Sequence, residues 1–294
     1  KITGKKDLWS KNTSEELLST FLSTVYEGAY DVDIKPVKPG DMLGVKAIRP
    51  IDKLFYNAED IYRREVRKPE WERTFDKITF RESFSPDREY LILDGTSIGH
   101  HRHLDGNAIL WYTDKRRIFL VDSGYTQSVS PKYHNTIIVI KDLKAEEPPQ
   151  FVALNFISEL ESIGFTSTSL RGYNGITWTR NILWRKGRFF FVVDELEAEE
   201  NGEYDLRCLW RVLGDVSPDR SGGLIAKQGN VQFTLRNCGD IDSYIIREDM
   251  ELTQRGRSMW EGYRHADGIV RTLIQRIKRN LKNGERVYFM NLFY

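Results

Sequence analysis

Four of the five histidines of this 294-residue chain, His100, His101, His103 and His134, fall within one 35-residue window. Imidazole titrates near neutral pH and is the commonest protein metal ligand, so such clustering points to proton transfer, metal binding or both. From Gly99 to Trp111 a period of two sets His101, His103, Asp105 and Asn107 on one face and Leu104, Gly106, Ala108 and Leu110 on the other. That pattern predicts a strand with one face for chemistry and one for a core. Asp122 ends the apolar run Ile118 to Val121, and His134 and Asn135 precede the run from Thr136 to Ile140, so these polar residues stand at strand ends. His103, Asp122 and His134 make a set of two imidazoles and one carboxylate suited to zinc with an open fourth position. The same residues also suit a hydrogen-bonded polar layer without metal, because no pair of histidines at i, i+4 with an adjacent glutamate is present. Tyr125 and Tyr133 are acid or base candidates, set against the alternative of ordinary packed tyrosines. Arg102 and Lys132 are cations able to meet a carboxylate or sulfate, and His265 reads as a surface histidine.

The elements that must carry these residues are mostly strands. From Phe75 onward, short runs rich in Ile, Val, Phe, Thr, Tyr and Trp alternate with Gly, Asn, Asp and Pro signals, giving fourteen strand candidates between residues 77 and 293. Hairpin turns are expected at Thr113 to Arg116, at Lys186 and Gly187, and at Asn283 and Gly284, the last a dipeptide that favours a type I′ turn. So many strands without intervening helical periods predict stacked antiparallel sheets, a two-layer β-supersandwich over residues 75 to 294. Residues 1 to 74 read differently. Thr13 and Glu16 form a capping-box pair ahead of Leu17, Leu18, Phe21, Leu22 and Val25, with Gly28 closing a helix. Residues 31 to 50 are punctuated by Pro and Gly, and 51 to 75 form a charged connector with one short helix.

Composition narrows the partners. With 44 basic and 43 acidic residues the net charge is +1, so no global field attracts nucleic acid or an anionic membrane. No apolar run approaches the roughly 20 residues of a membrane span. The first residues lack a secretory h-region, and a start at Lys with an end in strand text suggests a piece of a longer protein. Cys208 lies in an apolar alternation and reads as a buried free thiol, with a bridge to Cys238 as the alternative.

Three blocks together carry a resemblance: Gly99-His100-His101-Arg102-His103-Leu104-Asp105-Gly106-Asn107, then Phe119-Leu120-Val121-Asp122-Ser123-Gly124, then His134-Asn135-Thr136. This order resembles the heparinase II/III-like polysaccharide lyases, with a His-x-His-x-Asp strand, an Asp-x-Gly strand end and a His-Asn-Thr strand start. Phe75 to Arg81, Asp194-Glu195 and Leu209-Trp210 fit as flanking text. The resemblance implies an acidic, uronic-acid-containing polysaccharide such as a glycosaminoglycan or alginate as substrate, cleaved by β-elimination. It implies a helical (α/α) toroid ahead of the β-rich part, of which helix 13 to 27 would be a remnant, and a periplasmic or secreted location. It assigns His101 the role of base or proton shuttle and favours a structural over a water-activating zinc. Two other classes remain open: a non-catalytic carbohydrate-binding β-sandwich using Trp111, Trp178, Trp184, Trp210 or Trp260 to stack on sugars, although most of these sit in alternating strand text and read first as core residues, and a zinc-assisted glycan hydrolase.

Overall fold

The computed structural model describes residues 43–48, 58–97, 103–122, 130–250 and 256–294. Its strands, numbered β1 to β18 along the chain, form two sheets in which every pairing is antiparallel. The first sheet runs in the order β1 (Gly44–Ile48), β2 (Lys77–Arg81), β3 (Tyr90–Asp94), β4 (Ile109–Asp114), β5 (Arg117–Leu120), β12 (Gly202–Leu213), β17 (Val270–Leu281) and β16 (Ser243–Asp249). β6 (Ile137–Lys141) also pairs with β12, and the short β7 (Lys144–Ala145) pairs with β6. The second sheet runs β13 (Asp215–Pro218), β14 (Leu224–Gln228), β15 (Val231–Asn237), β18 (Arg286–Phe293), β11 (Phe189–Ala198), β10 (Ile176–Arg185), β9 (Ile163–Tyr173) and β8 (Ala153–Glu159).

The inward faces of the two sheets meet in one core. Phe80 of β2 packs edge to face on Trp184 of β10 and Phe190 of β11, and Trp210 of β12 does the same on Phe293 of β18 at 5.0 Å. Along β10, buried and half-buried residues alternate without a break, so Trp178, Arg180, Ile182 and Trp184 all point inward. A guanidinium in that row is the departure that the site explains below. Trp178, Trp184 and Trp210 are fully buried, which rules them out as sugar-stacking platforms. Both cysteines are free thiols, Cys208 buried and Cys238 exposed. Among the described residues no helix is long and apolar enough to cross a membrane.

The expected two-sheet, antiparallel class is what the structure shows, with local differences. Helix 13 to 27 lies outside the described residues, whereas the charged connector does hold one short helix, α1 (Ala58–Arg64). Within the stretch read as an irregular connector, Gly44–Ile48 instead pairs along the whole of Lys77–Arg81. That strand is short, and its fit depends on a distant feature: Val45 fills the space left by the missing side chain of Gly164. β7, β13 and β14 are further strands that alternation did not single out. At Thr113 to Arg116 the hairpin turns through Lys115 and Arg116, both with positive φ, so two long cationic residues take the left-handed conformation that Asn and Gly usually supply. The Asn283-Gly284 connection is not the tight two-residue turn: four residues separate β17 from β18, and of that dipeptide only Gly284 has positive φ.

One buried carboxyl couples this packing to pH. Glu89, just ahead of β3, accepts the Trp184 indole N–H (2.6 Å) and the Gly187 backbone N–H (2.9 Å) on a single oxygen. Burial, with added repulsion from Asp114 and Glu82, overcomes those two hydrogen bonds and raises its pKa from 4.5 to about 7. The folded protein therefore holds this proton more tightly than the unfolded chain, a contribution fully present below pH 4.5 and lost as pH rises through about 7. Glu89→Gln keeps an acceptor oxygen and removes the charge. It should flatten the decline of unfolding free energy across that window and exceed the parent at pH 8 by about 1 to 3 kcal/mol; denaturant titrations at pH 5 and 8 with parallel curves for both proteins would contradict this.

Candidate active site

β12 is shared along one edge by two strands. β6 pairs with it from Tyr204 to Cys208, and β5 meets it only where Val212 faces Leu120. Between those contacts, the end of β5 carries Asp122 and the approach to β6 carries His134 and Asn135. The Asn135 amide closes the gap: its Nδ2 donates to the carbonyls of Ile109 (2.7 Å) and Val121 (2.9 Å), and its Oδ1 accepts the Arg211 backbone N–H at 2.6 Å. A carboxamide offers the same donors and acceptor as a peptide group, so one side chain replaces ladder bonds to three segments. The main-chain bonds Val121 N–H to Arg211 O and Leu209 N–H to Thr136 O flank it.

The second sheet reaches across the core to the same place. Arg180 is wholly buried and forms a two-point pair with Asp194 of β11, at 2.7 Å through Nε and 3.1 Å through Nη2. Its Nη1 donates to the carbonyls of Asn107 (2.7 Å) and Asn135 (3.1 Å), and Trp178 Nε1–H also donates to Asp194. Thr168 of β9 bonds the Asn107 side-chain oxygen at 2.6 Å. Residues 103 to 108 are accordingly not the expected strand. Asn107 takes φ of +67°, Ala108 N–H bonds back to Asp105 O, and β4 begins only at Ile109.

This turn delivers Asp105 to the cluster. One ligand atom each from Asp105, Asp122 and His134 lie within 4.8 Å of one another. His134 donates from Nδ1–H to Asp122 Oδ1 at 2.6 Å, which leaves Nε2 as the buried nitrogen, and that atom meets no hydrogen-bonding group among the described residues. A carboxylate fixing one imidazole nitrogen while the other is buried without a hydrogen-bond partner is an arrangement that suits histidine to a metal. His103 stands beside this set, its half-buried ring edge to face with His134 at 5.9 Å between centroids. Burial, reinforced by the charges of Asp94 and Asp122, pushes the Asp105 carboxyl well above the usual range. Burial alone would lower the His134 imidazole, yet the Asp122 charge and hydrogen bond, with Asp105, lift it above its ordinary value. A desolvated acid, a second carboxylate and a buried imidazole nitrogen are a donor set that fits a divalent cation. Tyr133 ends the 3-10 turn Pro131–Tyr133, its ring 5.7 Å from the buried Arg211 guanidinium and 4.9 Å from the Lys132 ammonium. His101 and Tyr125 lie outside the described residues. His265 is half-buried rather than fully exposed and faces the guanidinium of Arg117.

The heparinase II/III-like, C-terminal family model matches residues 74–264, about two thirds of the sequence. The chain belongs to the heparinase II/III-like family. Its fold is similar to a heparinase III structure with methylated lysines, at 15% identity and TM-score 0.58, covering 74% of this chain and 34% of that one. It is also similar to the heparan sulfate lyase HepC from Pedobacter heparinus, at 13% identity and TM-score 0.58, covering 95% of this chain and 40% of that one. The chain thus spans little more than a third of the length of these structures. No protein of curated function matches the sequence.

Within this family member, alternation sets Asp105 on the chemical face without marking it as a ligand, and residue type alone does not mark Asn135, Arg180 and Arg211 as supports. Arg180 left a signal, a cation at an inward position of β10. Removing its counter-charge should be severe: Asp194→Asn leaves the guanidinium buried and unpaired, and should cost about 3 to 5 kcal/mol of unfolding free energy. Chemical denaturation checks this, and a loss below 1 kcal/mol would show that Arg180 does not depend on Asp194.

Proposed function

We propose that this chain is the β-rich part of a polysaccharide lyase that cleaves a uronic-acid-containing polymer by β-elimination. The observation that carries the reading is the buried Asp105, Asp122 and His134 cluster, with His103 at its side, held at strand ends in a member of the heparinase II/III-like family. Solved structures of similar fold include a heparinase III and a heparan sulfate lyase, which supports the substrate class.

β-Elimination beside a uronate requires three things: neutralising the carboxylate, removing the C5 proton and protonating the departing O4. In this reading His101, two residues from His103, accepts the C5 proton. Tyr133, adjacent to His134 and covered by Arg211 and Lys132, is the described candidate for returning a proton to O4, with Tyr125 as the other. The two cations around Tyr133 add positive potential where the uronate must dock. His103, Asp122 and His134, joined by Asp105, would hold the cation. Zinc there would supply positive charge that offsets the two carboxylates and fixes the ends of β5 and β6, a structural role. The remaining carboxylate-neutralising groups belong, in this reading, to a helical toroid domain in a longer protein, so the 294-residue chain alone should turn over slowly. A polysaccharide substrate of this kind supports a periplasmic or secreted location.

The longer protein, its His101→Ala form and its His134→Ala form should be mixed with heparan sulfate, heparin and alginate while the absorbance of the unsaturated uronate is followed. Loss of a positioned proton-transfer group should slow His101→Ala by about 10²- to 10⁴-fold. Elemental analysis should find one divalent metal per chain in the parent and a deficit in His134→Ala. Full activity of His101→Ala on every accepted polymer would remove it from the mechanism, and new reducing ends without the chromophore would mean hydrolysis.

A further inference from the structure

A second basic feature shares no residue with the histidine cluster. On the second sheet, a cavity of about 420 Å³ opens between the segment after α1 and strands β8 and β9. Arg67, Lys68, Arg73 and Arg171 line it, against two acids that include Glu199, over a floor that includes Phe151. The volume lies within the range of small-ligand sites.

The backbone of β9 is distorted to present one of these cations. Tyr173 faces Ile176 and Leu170 faces Trp178, so Arg171 and Gly172 together oppose the single residue Thr177. Such a bulge re-aims a side chain. Leu170 points into the core, whereas Arg171 is exposed. Gly172 takes φ of +68°, and the stem of Arg67 lies against it where a Cβ would meet Arg67 Cδ at 3.3 Å. The amide that the bulge frees, Gly172 N–H, is accepted by Glu199 Oε1 at 3.0 Å, an oxygen that also accepts the Thr177 hydroxyl. Oε1 of Glu199 is thereby committed to the bulge.

The other cations are held in place by carbonyls, one amide and, for Arg67, one exposed carboxylate. Arg67 Nη1 donates to Gly172 O at 3.0 Å and reaches Glu146 at 3.3 Å, Lys68 donates to the last carbonyls of α1, and Arg73 bonds Asn155 and the Leu154 carbonyl. Arg171 has no hydrogen bond or ion pair among the described residues. Three anchored cations around one free guanidinium form a recess with donors already oriented for carboxylate or sulfate oxygens.

We propose that this cavity is a second binding site for the acidic polysaccharide, in which Arg171 grips a sulfate or uronate of one sugar unit while Arg67, Lys68 and Arg73 supply the surrounding field. Such a site would hold the polymer apart from the reacting cluster and retain it between cleavages. The saccharide as ligand rests on the lyase reading; the anion-binding cavity does not.

The test is calorimetric titration of a heparan-sulfate-derived hexasaccharide, and of its desulfated form, into the protein, Arg171→Glu and Arg171→Lys, each also in a His134→Ala background. Arg171→Glu should weaken binding about tenfold at low salt, Arg171→Lys should restore most of it, and the ratio should be the same in the His134→Ala background. A larger loss with the sulfated ligand assigns the contact to sulfate, an equal loss with both to the uronate. Unchanged affinity in Arg171→Glu overturns the proposal, as does equal Arg171-dependent binding of poly-glutamate, which would make the cavity a seat for acidic peptide. Failure of the lyase reading has a separate signature: no unsaturated uronate from any polymer while Arg171-dependent saccharide binding persists.

Discussion

A single guanidinium, that of Arg180, joins the two layers of this sandwich at the point where chemistry is expected. A buried charge is tolerated only if paired and hydrogen-bonded, and Arg180 meets both conditions through Asp194, the Asn107 carbonyl and the Asn135 carbonyl. Lysine could not do this, because three donors on a point charge do not match a carboxylate and two carbonyls set in a plane. The rings of Trp178 and Trp210 lie 4.8 and 5.2 Å from the guanidinium and exclude water from it. A pair of this sort adds little net stability, since its desolvation offsets most of its attraction. Its effect is positional: it fixes the turn that presents Asp105 and the strand entry that presents His134.

Asn135 does the corresponding work within the first sheet. β5 and β6 meet β12 at separate places, and without the carboxamide the carbonyls of Ile109 and Val121 and the amide of Arg211 would be buried unpaired. The sheet is thus opened at one spot, and the polar groups freed by the opening are satisfied by a side chain adjacent to the buried histidine that sits there. Site and scaffold share the residue pair His134-Asn135.

Much of the fold was legible because a half-buried antiparallel sheet writes a period of two into its sequence. β10 runs over the limits alternation set, 176 to 185, and β2 likewise over 77 to 81. Strands whose fit depends on distant partners were not legible: β1 needs the vacancy at Gly164, and nothing in Gly44–Ile48 announces it. The same distinction holds at the site. His103, Asp122 and His134 stood out by residue type at strand boundaries, whereas the period of two failed from 103 to 107 because Asn107 turns the chain through a positive φ that Thr168 and Arg180 stabilise from the other sheet. The tryptophans follow their alternation. Residue type alone would suggest sugar stacking, but Trp178, Trp184 and Trp210 fall on the inward positions that the period of two assigns them and fill the core.

The sequence separations within the Arg180 clamp carry a kinetic consequence. Its donors reach back 73 residues to Asn107 and 45 to Asn135, while its counter-ion lies 14 residues ahead across one hairpin. Local hairpins form early, and closures over long loops come late because they cost more chain entropy. The β10–β11 hairpin can therefore assemble Arg180 with Asp194 first and carry a preformed fork to a partner sheet not yet docked. The histidine cluster comes into being only when that docking is complete, so a nascent or partly folded chain would present no finished pocket, and occupancy by any ligand would mark molecules that have reached the native state.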